Sequence, residues 1–350
     1  MSQIAYINWE ATGTAAFPLI QKAIRETPTL AHLPDLLHIN TPNTIPDTLD
    51  VSKVEIVIVD ASVVGLWSRF PSLKLILSAW AGIDRLLKDP DFPRHIPLIR
   101  LVDNSMTKRM GQIALTHVLN HHREMNLITR QQIQKVWNKK PRGVLPPPME
   151  DVQIGILGIG VLGKEVASQL IRNGFTGVRG WGTVERSLTI PRLVDSVTGN
   201  ETAVVEEVSV QVVAGREGLE HVLRTSDIVI SLLPSTPDTY HLIGYSEFSK
   251  MKRGSMFVNL GRGATVVQDD VIRALDDEDA MIEWAVLDVF ELEPLPESNP
   301  LWSHPHVIVT PHMAALTDYT FAARTIANSL RLYTEGAERI PGLVDFSKGF

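Results

Sequence analysis

Cysteine is absent from the 350-residue chain. That excludes disulfides, zinc–thiolate sites and a cysteine nucleophile; a reducing compartment, the cytoplasm, is the expected location, and no metal site is expected. No uncharged apolar run approaches the ~18–20 residues of a membrane span. The opening residues, Met1 to Glu10, lack a basic stretch followed by an apolar one and do not read as a secretory leader. Positive charge is not in excess either. Lys and Arg total 33 against 40 Asp and Glu, a net charge of −7, which speaks against general affinity for nucleic acid or an anionic membrane. An anionic substrate would have to be drawn in by local arginines. No internal repeat at solenoid periods is visible.

The length suggests about two domains. With 44% hydrophobic and 21% charged residues, each can bury a sizeable core. In the first hundred residues, Ile4–Asn8, Val54–Asp60 and Leu73–Leu77 are apolar nearly throughout, as strands are when helices cover both faces of a parallel sheet. Asn104–Asn120 places Met106, Met110, Ile113, Ala114 and Val118 at helical spacing. Lys139–Pro148 reads as a stiff, exposed connector. Beyond it, strand-like runs at Val152–Leu157, Asp227–Leu233, Ser255–Leu260, Ala285–Val289 and Val307–Val309 alternate with helical segments such as Asp269–Asp276. A polar, acidic stretch between Arg186 and Ala214, with Thr198-Gly199-Asn200 between Val-rich flanks, reads as a surface hairpin. The last helix, about Tyr319–Thr334, suggests that the chain returns to its first domain. The expected division is residues 1–100 with 316–350, and residues 101–315.

Gly158-Ile159-Gly160-Val161-Leu162-Gly163 follows a strand and precedes a helix-compatible run, Val161–Arg172. A GxGxxG in that context is a dinucleotide fingerprint. Gly158 permits a tight turn, Gly160 lets the backbone approach a pyrophosphate, and Gly163 lets the helix pack close to the strand. The second strand of the unit is expected to end near Val178–Trp181. NAD enzymes place an acid there to bind the ribose hydroxyls. This chain has Thr183-Val184-Glu185-Arg186 instead. Arg186, with Thr183, would bind a 2′-phosphate, so NADP(H) is favoured over NAD(H); Glu185, one or two residues out of place, is the counter-argument.

Three further residues suggest chemistry. Arg262 lies in Asn259-Leu260-Gly261-Arg262-Gly263, Glu293 in Leu287-Asp288-Val289-Phe290-Glu291-Leu292-Glu293-Pro294, and His312 in Val309-Thr310-Pro311-His312. Each lies at or just beyond a predicted parallel strand, the edge at which open α/β sheets bind ligands. A 2-keto acid needs its carboxylate held, its carbonyl polarised and its oxygen protonated as hydride arrives. Arginine suits the first two tasks through its fork and permanent charge. Histidine suits the third, and a carboxylate beside it orients the ring.

At these motifs the chain resembles the D-isomer-specific 2-hydroxyacid dehydrogenases. Gly158–Gly163, Leu233-Pro234-Ser235-Thr236-Pro237-Asp238-Thr239, Val258–Gly263, Leu287–Pro296 and Thr310-Pro311-His312 match in family order. Pro300-Leu301-Trp302, Gly342-Leu343-Val344-Asp345 and the closing Gly349-Phe350 look like the glyoxylate/hydroxypyruvate reductase A subgroup. The resemblance implies an α/β protein of two Rossmann/flavodoxin-like domains with parallel sheets and an active-site cleft between them, usually a homodimer. It implies Arg262 as clamp for substrate carboxylate and carbonyl, His312 as general acid, and Glu293 as its partner. Asp288 would hold the nicotinamide carboxamide. Leu233, Pro234, Leu260 and Gly261, with Gly158, Gly160, Val161, Leu162 and Gly163, would border the cofactor. In the substrate loop Trp80-Ala81-Gly82, Ala81 and Gly82 would offer backbone N–H groups to the substrate carboxylate.

The chain departs from the subgroup in four places. Val59-Asp60-Ala61-Ser62 stands where the subgroup has Trp-His-Pro-Pro, and Trp80-Ala81-Gly82 where it has Gly-Ala-Gly. Trp80 either fills the space of the missing Trp or anchors the core. The arginine-rich turn is thinned to Thr183–Arg186, and the 187–213 stretch is longer. The expected activity is NAD(P)H-dependent reduction of small 2-keto acids, glyoxylate and hydroxypyruvate leading. The rivals are another substrate (phosphoglycerate, D-lactate or formate) and a dinucleotide-sensing, corepressor-like binding protein.

Overall fold

A computed structural model describes residues 3–8, 15–40, 45, 49–60, 65–194, 204–277 and 282–346. The chain divides into two compact units, residues 1–106 with 317–350, and residues 107–316.

The first unit contains β1 (Gln3–Asn8), α1 (Ala16–Glu26), β2 (Leu37–Ile39), β3 (Val54–Asp60), β4 (Leu75–Ser78), α2 (Asp84–Leu87) and β5 (Leu98–Ile99), and takes in the chain's last helix, Tyr319–Thr334. The five strands pair in the order β2-β1-β3-β4-β5, all parallel. The near-continuous apolar runs are explained by cores on both faces. Ile4, Tyr6, Ile56, Ile58, Leu75 and Leu77 point to one face, against α1 and the last helix. Ala5, Ile7, Val57, Val59 and Ile76 alternate with them and pack on Trp67, Phe70 and Phe92. The strand expected over Leu73–Leu77 starts at Leu75, because a turn bond from Leu73 N–H to Phe70 O at 3.2 Å delays it.

The second unit starts within α3 (Asn104–His122) and continues through α4 (Met125–Gln134), β6 (Ile154–Leu157), α5 (Val161–Arg172), β7 (Val178–Trp181), β8 (Arg186–Val194), β9 (Val204–Val213), α6 (Gly215–Thr225), β10 (Ile228–Ser231), α7 (Tyr245–Phe248), β11 (Ser255–Asn259), α8 (Gln268–Asp276), β12 (Ile282–Leu287) and β13 (Val307–Val309). Its eight strands run β13-β12-β11-β10-β6-β7-β9-β8. Every pairing is parallel except β8 with β9. The order reverses between β6 and β10, which is the topological switch point where such sheets open a ligand crevice. One face packs on α3 and α5 through Ala114, Val118, Val166 and Leu170. The other packs on α6 and α8 through Leu219, Val222, Val271 and Ala274.

The hairpin expected between Arg186 and Ala214 is present as β8 and β9, paired antiparallel from Arg186↔Val212 to Val194↔Val204. Its expected turn, Thr198–Asn200, lies outside the described residues. It is more than a surface flap. β9 also pairs in parallel with β7, so the insertion adds two strands to the sheet. Val210 and Val212 on β9 are buried in the core, which fixes the base of the hairpin while Leu193 and Val205 near its far end stay exposed. Helix α4 has no clear sequence signal. It follows α3 after Glu124, whose left-handed φ of 58° breaks the longer helix, and it buries none of its residues. The 139–148 connector is mostly exposed, as its composition implies.

Candidate active site

Parallel pairing puts the C-terminal ends of β6, β10, β11, β12 and β13 on one edge of the sheet. Every candidate residue of the second unit except Thr183 and Arg186 follows one of these ends directly. The sequence places them up to 154 residues apart (312 − 158); the topology brings them to one rim.

At the switch point, Gly158 has φ of +92° and its Cα faces the Leu232 carbonyl, which an added Cβ would meet at 3.0 Å. Gly163 is required by close approach, since a Cβ there would lie 2.5 Å from Gly158 O. Gly160 is different: among the described residues, nothing beyond its own chain neighbours and helix lies within 4 Å of its Cβ position. That open space lies at the N-cap of α5, where unpaired N–H groups and the helix dipole favour a phosphate. Val161 is exposed beside it and Leu162 is partly buried against the core. The turn therefore fits a dinucleotide. Arg186 lies alongside. It donates through Nη2 to Ile159 O at 2.9 Å and through Nη1 to Val184 O at 3.1 Å, so its fork sits between the glycine turn and the end of β7. Thr183 and Glu185 are exposed.

The Arg262 loop is held from both sides. Buried Asn259 accepts from Gly261 N–H at 3.2 Å and donates to Arg262 O at 3.1 Å. A Cβ on Gly261 would lie 2.6 Å from Leu233 O, and one on Gly263 would lie 1.9 Å from the carbonyl carbon of Phe290. The glycines flanking Arg262 thus press it between the Leu233–Thr239 loop and the Glu293 motif. Leu233 and Leu260 are buried; Pro234 O accepts from Thr239 Oγ1 at 2.6 Å, which closes that loop.

Glu293 and His312 meet. Glu293 Oε2 is 2.7 Å from His312 Nδ1, while Oε1 accepts from Phe290 N–H at 3.0 Å. One carboxylate oxygen fixes its own loop and the other fixes the imidazole. With Nδ1–H directed at the carboxylate, Nε2 is the ring's remaining polar atom. The histidine side chain is 51% exposed and the glutamate 23%. His312 itself has φ of 49°, a left-handed conformation costing a non-glycine residue about 1–3 kcal/mol.

Asp288 offsets that cost. Its carboxylate is fully buried and accepts from Thr310 Oγ1 at 2.6 Å, Met313 N–H at 2.9 Å and Ala314 N–H at 3.0 Å. Its backbone O accepts from His312 N–H at 2.8 Å. The side chain expected to meet a carboxamide is turned onto the 310–314 loop, where charge-assisted bonds worth about 1.5–3 kcal/mol each hold the histidine in place. Behind it His117 on α3 is buried, and among the described residues neither of its ring nitrogens has a hydrogen-bond partner. Burial pushes its pKa down and the Asp288 charge opposes that shift.

The Trp80–Gly82 loop belongs to the first unit and follows β4. Trp80 N–H donates to Ser78 Oγ at 3.1 Å, and Trp80 O accepts from Ser78 Oγ at 3.0 Å and from Leu101 N–H at 3.1 Å. Its indole N–H donates to Asp60 Oδ1 at 2.6 Å. Ala61 and Ser62 lie outside the described residues. Two features escaped the sequence reading. Asp60 is buried with Tyr6 and Tyr319 around it; a single acid closing the apolar run Val54–Asp60 was the available signal. His241, also left-handed at φ 49°, pairs through Nε2 with Glu291 Oε1 at 3.1 Å and stacks on Tyr240. That second His–Glu pair fastens the 239–241 loop to the segment carrying Glu293.

A dinucleotide turn at the switch point, an arginine and an oriented imidazole on one sheet edge define a nicotinamide-dependent oxidoreductase. Residues 115–314 match the D-isomer specific 2-hydroxyacid dehydrogenase, NAD binding domain, family. The chain is 34% identical over 284 residues to glyoxylate/hydroxypyruvate reductase A of Yersinia enterocolitica, covering 79% of this chain and 82% of that protein. It is 36% identical over 283 residues to the reductase of the same name from Serratia proteamaculans, with the same coverages. A D-isomer specific 2-hydroxyacid dehydrogenase from Xanthobacter autotrophicus Py2, solved with NADPH and MES, superposes with a TM-score of 0.80 at 31% identity over 100% of both chains. An NADPH-dependent glyoxylate/hydroxypyruvate reductase from Sinorhizobium meliloti, solved with NADP and sulfate, gives 0.79 at 28% identity over 100% of both. The chain belongs to the D-isomer specific 2-hydroxyacid dehydrogenase family and is an NAD(P)-dependent enzyme of that family.

Proposed function

We propose that the protein reduces glyoxylate and hydroxypyruvate to the corresponding 2-hydroxy acids with NADPH. The observation that carries the reading is the His312–Glu293 pair at 2.7 Å, beside Arg262 on the edge that bears the Gly158–Gly163 turn. When bound, a reduced nicotinamide supplies the hydride that reaches the keto carbon. Arg262 holds the carboxylate and polarises the carbonyl. His312 delivers its Nε2 proton to the keto oxygen, and Glu293 keeps the ring aimed and its positive charge balanced. In the opposite direction neutral His312 takes the hydroxyl proton. Asp288 holds His312 in place through the 310–314 backbone. Gly158, Gly160 and Gly163, with Val161, Leu162, Leu233, Pro234, Leu260 and Gly261, border the cofactor, and Ala81 and Gly82 offer N–H groups to the substrate.

The relatives named for glyoxylate and hydroxypyruvate support the substrate class, and those solved with NADP or NADPH support the cofactor. The test is consumption of NADPH and of NADH across a panel of 2-keto acids. Binding of NADPH without turnover of any acid would refute the reading and favour a dinucleotide sensor. Arg186 is the proposed 2′-phosphate ligand. Arg186→Ala is expected to raise KM for NADPH by about 10–100-fold, the worth of a charge-assisted contact, and to leave KM for NADH nearly unchanged. Equal changes for both cofactors would remove Arg186 from that role.

We further propose a homodimer, in a reducing compartment such as the cytoplasm, as a chain without cysteine suits. Among the described residues no helix is long and apolar enough to cross a membrane. In and after α4, Ile133, Val136, Trp137, Val144 and Leu145 are all at least half exposed, Trp137 at 91%. Apolar side chains so concentrated mark an interaction surface, and a second copy is the commonest partner. Light scattering is expected to give twice the 38.8 kDa chain mass, falling to one chain mass in Trp137→Glu/Leu145→Glu. A monomeric wild type refutes this arrangement.

A further inference from the structure

Asp60 ends β3 with a fully buried side chain. Oδ2 accepts from Tyr6 Oη at 2.7 Å and Oδ1 from Trp80 Nε1 at 2.6 Å. Tyr319, at the start of the last helix, lies close enough to act on the same carboxyl. The three neighbours come from β1, from the loop after β4, and from a helix more than two hundred residues away in sequence. Burial pushes the Asp60 carboxyl up, and Tyr6, Trp80 and Tyr319 pull it only part of the way back. Burial and the Asp60 charge together raise Tyr6, and raise Tyr319 to about 12. Both phenols therefore keep their protons.

A buried carboxylate is a poor way to hold a core together, since an apolar side chain of similar volume does so without desolvating a charge. Tyr6 is packed within the sheet and Tyr319 against the same core. Only Trp80 belongs to a segment with neither helix nor strand geometry. There the acid has a distinct effect. With its indole on Asp60, its N–H on Ser78 and its carbonyl taken by Ser78 and Leu101, Trp80 is held at every polar group it has. The following peptides, Ala81 and Gly82, stay partly exposed and inherit their direction from that anchor.

We propose that Asp60 is a positioning residue for substrate: by holding the Trp80 indole it directs the Ala81 and Gly82 N–H groups that receive the keto-acid carboxylate, and so sets KM for short 2-keto acids. This rests on the reading of Trp80–Gly82 as a substrate loop. It also gives Asp60 a task at a place where the chain lacks the subgroup's Trp-His-Pro-Pro.

The test compares Asp60→Asn, Trp80→Phe and the double variant. Each single change is expected to raise KM for glyoxylate about tenfold, as loss of one charge-assisted bond does, with kcat altered less than about threefold and NADPH affinity unchanged. The double variant is expected to be no worse than the worse single one, because both act on the same contact: asparagine is neutral and keeps one acceptor oxygen for two donors, Tyr6 Oη and Trp80 Nε1. Unmoved KM in the single variants, fully additive effects, or an equal loss of NADPH affinity would overturn the proposal. Should Asp60→Asn fail to fold, Trp80→Phe decides alone, since it deletes the N–H donor and keeps an aromatic ring: a raised KM supports the anchor and an unmoved one overturns it. The two levels separate cleanly. A wild type that turns over no 2-keto acid refutes the proposed function and this role with it; an active wild type with unmoved variants refutes only the role of Asp60.

Discussion

Replacing Arg262 with alanine is expected to lower kcat/KM for glyoxylate by about 10²–10³-fold while NADPH affinity stays within about twofold. The magnitude is that of deleting one member of a desolvated, hydrogen-bonded charge pair. The loss should be confined to substrate because of how the residue is held. Its backbone, at φ −137°, is ordinary extended chain that alanine adopts freely. Asn259 and Thr265 grip the loop through Arg262 O, at 3.1 and 2.7 Å, and the guanidinium adds a single local bond, from Nη1 to Gly261 O at 2.8 Å. The loop and its glycine contacts to Leu233 and Phe290 therefore survive the substitution. Lysine is expected to recover only part of the loss: it restores the charge but not the planar fork that meets a carboxylate with two parallel bonds. Steady-state kinetics with a separate measurement of NADPH binding checks this. Parallel losses of turnover and cofactor affinity would mean that Arg262 holds the loop and not the acid.

The residues that the sequence made legible share one property: their signal is local. Val54–Asp60 is apolar at every position but two because both faces of β3 are covered, and its bounds agree with the reading. Val161–Arg172 follows a glycine turn whose spacing only a helix start explains, and Tyr319–Thr334 carries its apolar residues at 3.6-residue spacing. What stayed hidden depends on partners distant in the chain. The parallel pairing of β9 with β7 is not encoded in the hairpin's own alternation. Helix α4 has no fully buried residue and packs only Leu127 partly against the core, so its apolar stripe is too weak to read. The inward turn of Asp288 is decided by Thr310, Met313 and Ala314, more than twenty residues on. Asp60 was visible only as an anomaly, an acid at the end of an apolar strand, until the structure supplied Tyr6, Trp80 and Tyr319. For the candidate site, the sequence motifs were sufficient to name Arg262, Glu293 and His312; the contact between the last two belongs to the fold.

That contact carries the second large effect. His312→Asn is expected to lower kcat for reduction by about 10²–10⁴-fold, the usual worth of a positioned proton donor, with KM changed far less. Asparagine is the informative replacement because it tolerates the left-handed φ of 49° better than other side chains, so the loss reports chemistry and not a broken turn. Glu293→Gln should act more mildly and differently. Glutamine has one carbonyl oxygen where Glu293 uses two, one for Phe290 N–H at 3.0 Å and one for His312 Nδ1 at 2.7 Å. It satisfies one partner and leaves the other, and it carries no charge. A drop in kcat of about 10–100-fold is expected. Nε2 is then aimed less firmly at the keto oxygen, so the loss should fall on kcat in both directions of reaction while KM changes less. A variant that keeps wild-type kcat would separate Glu293 from the proton transfer and leave it as a loop anchor for Phe290.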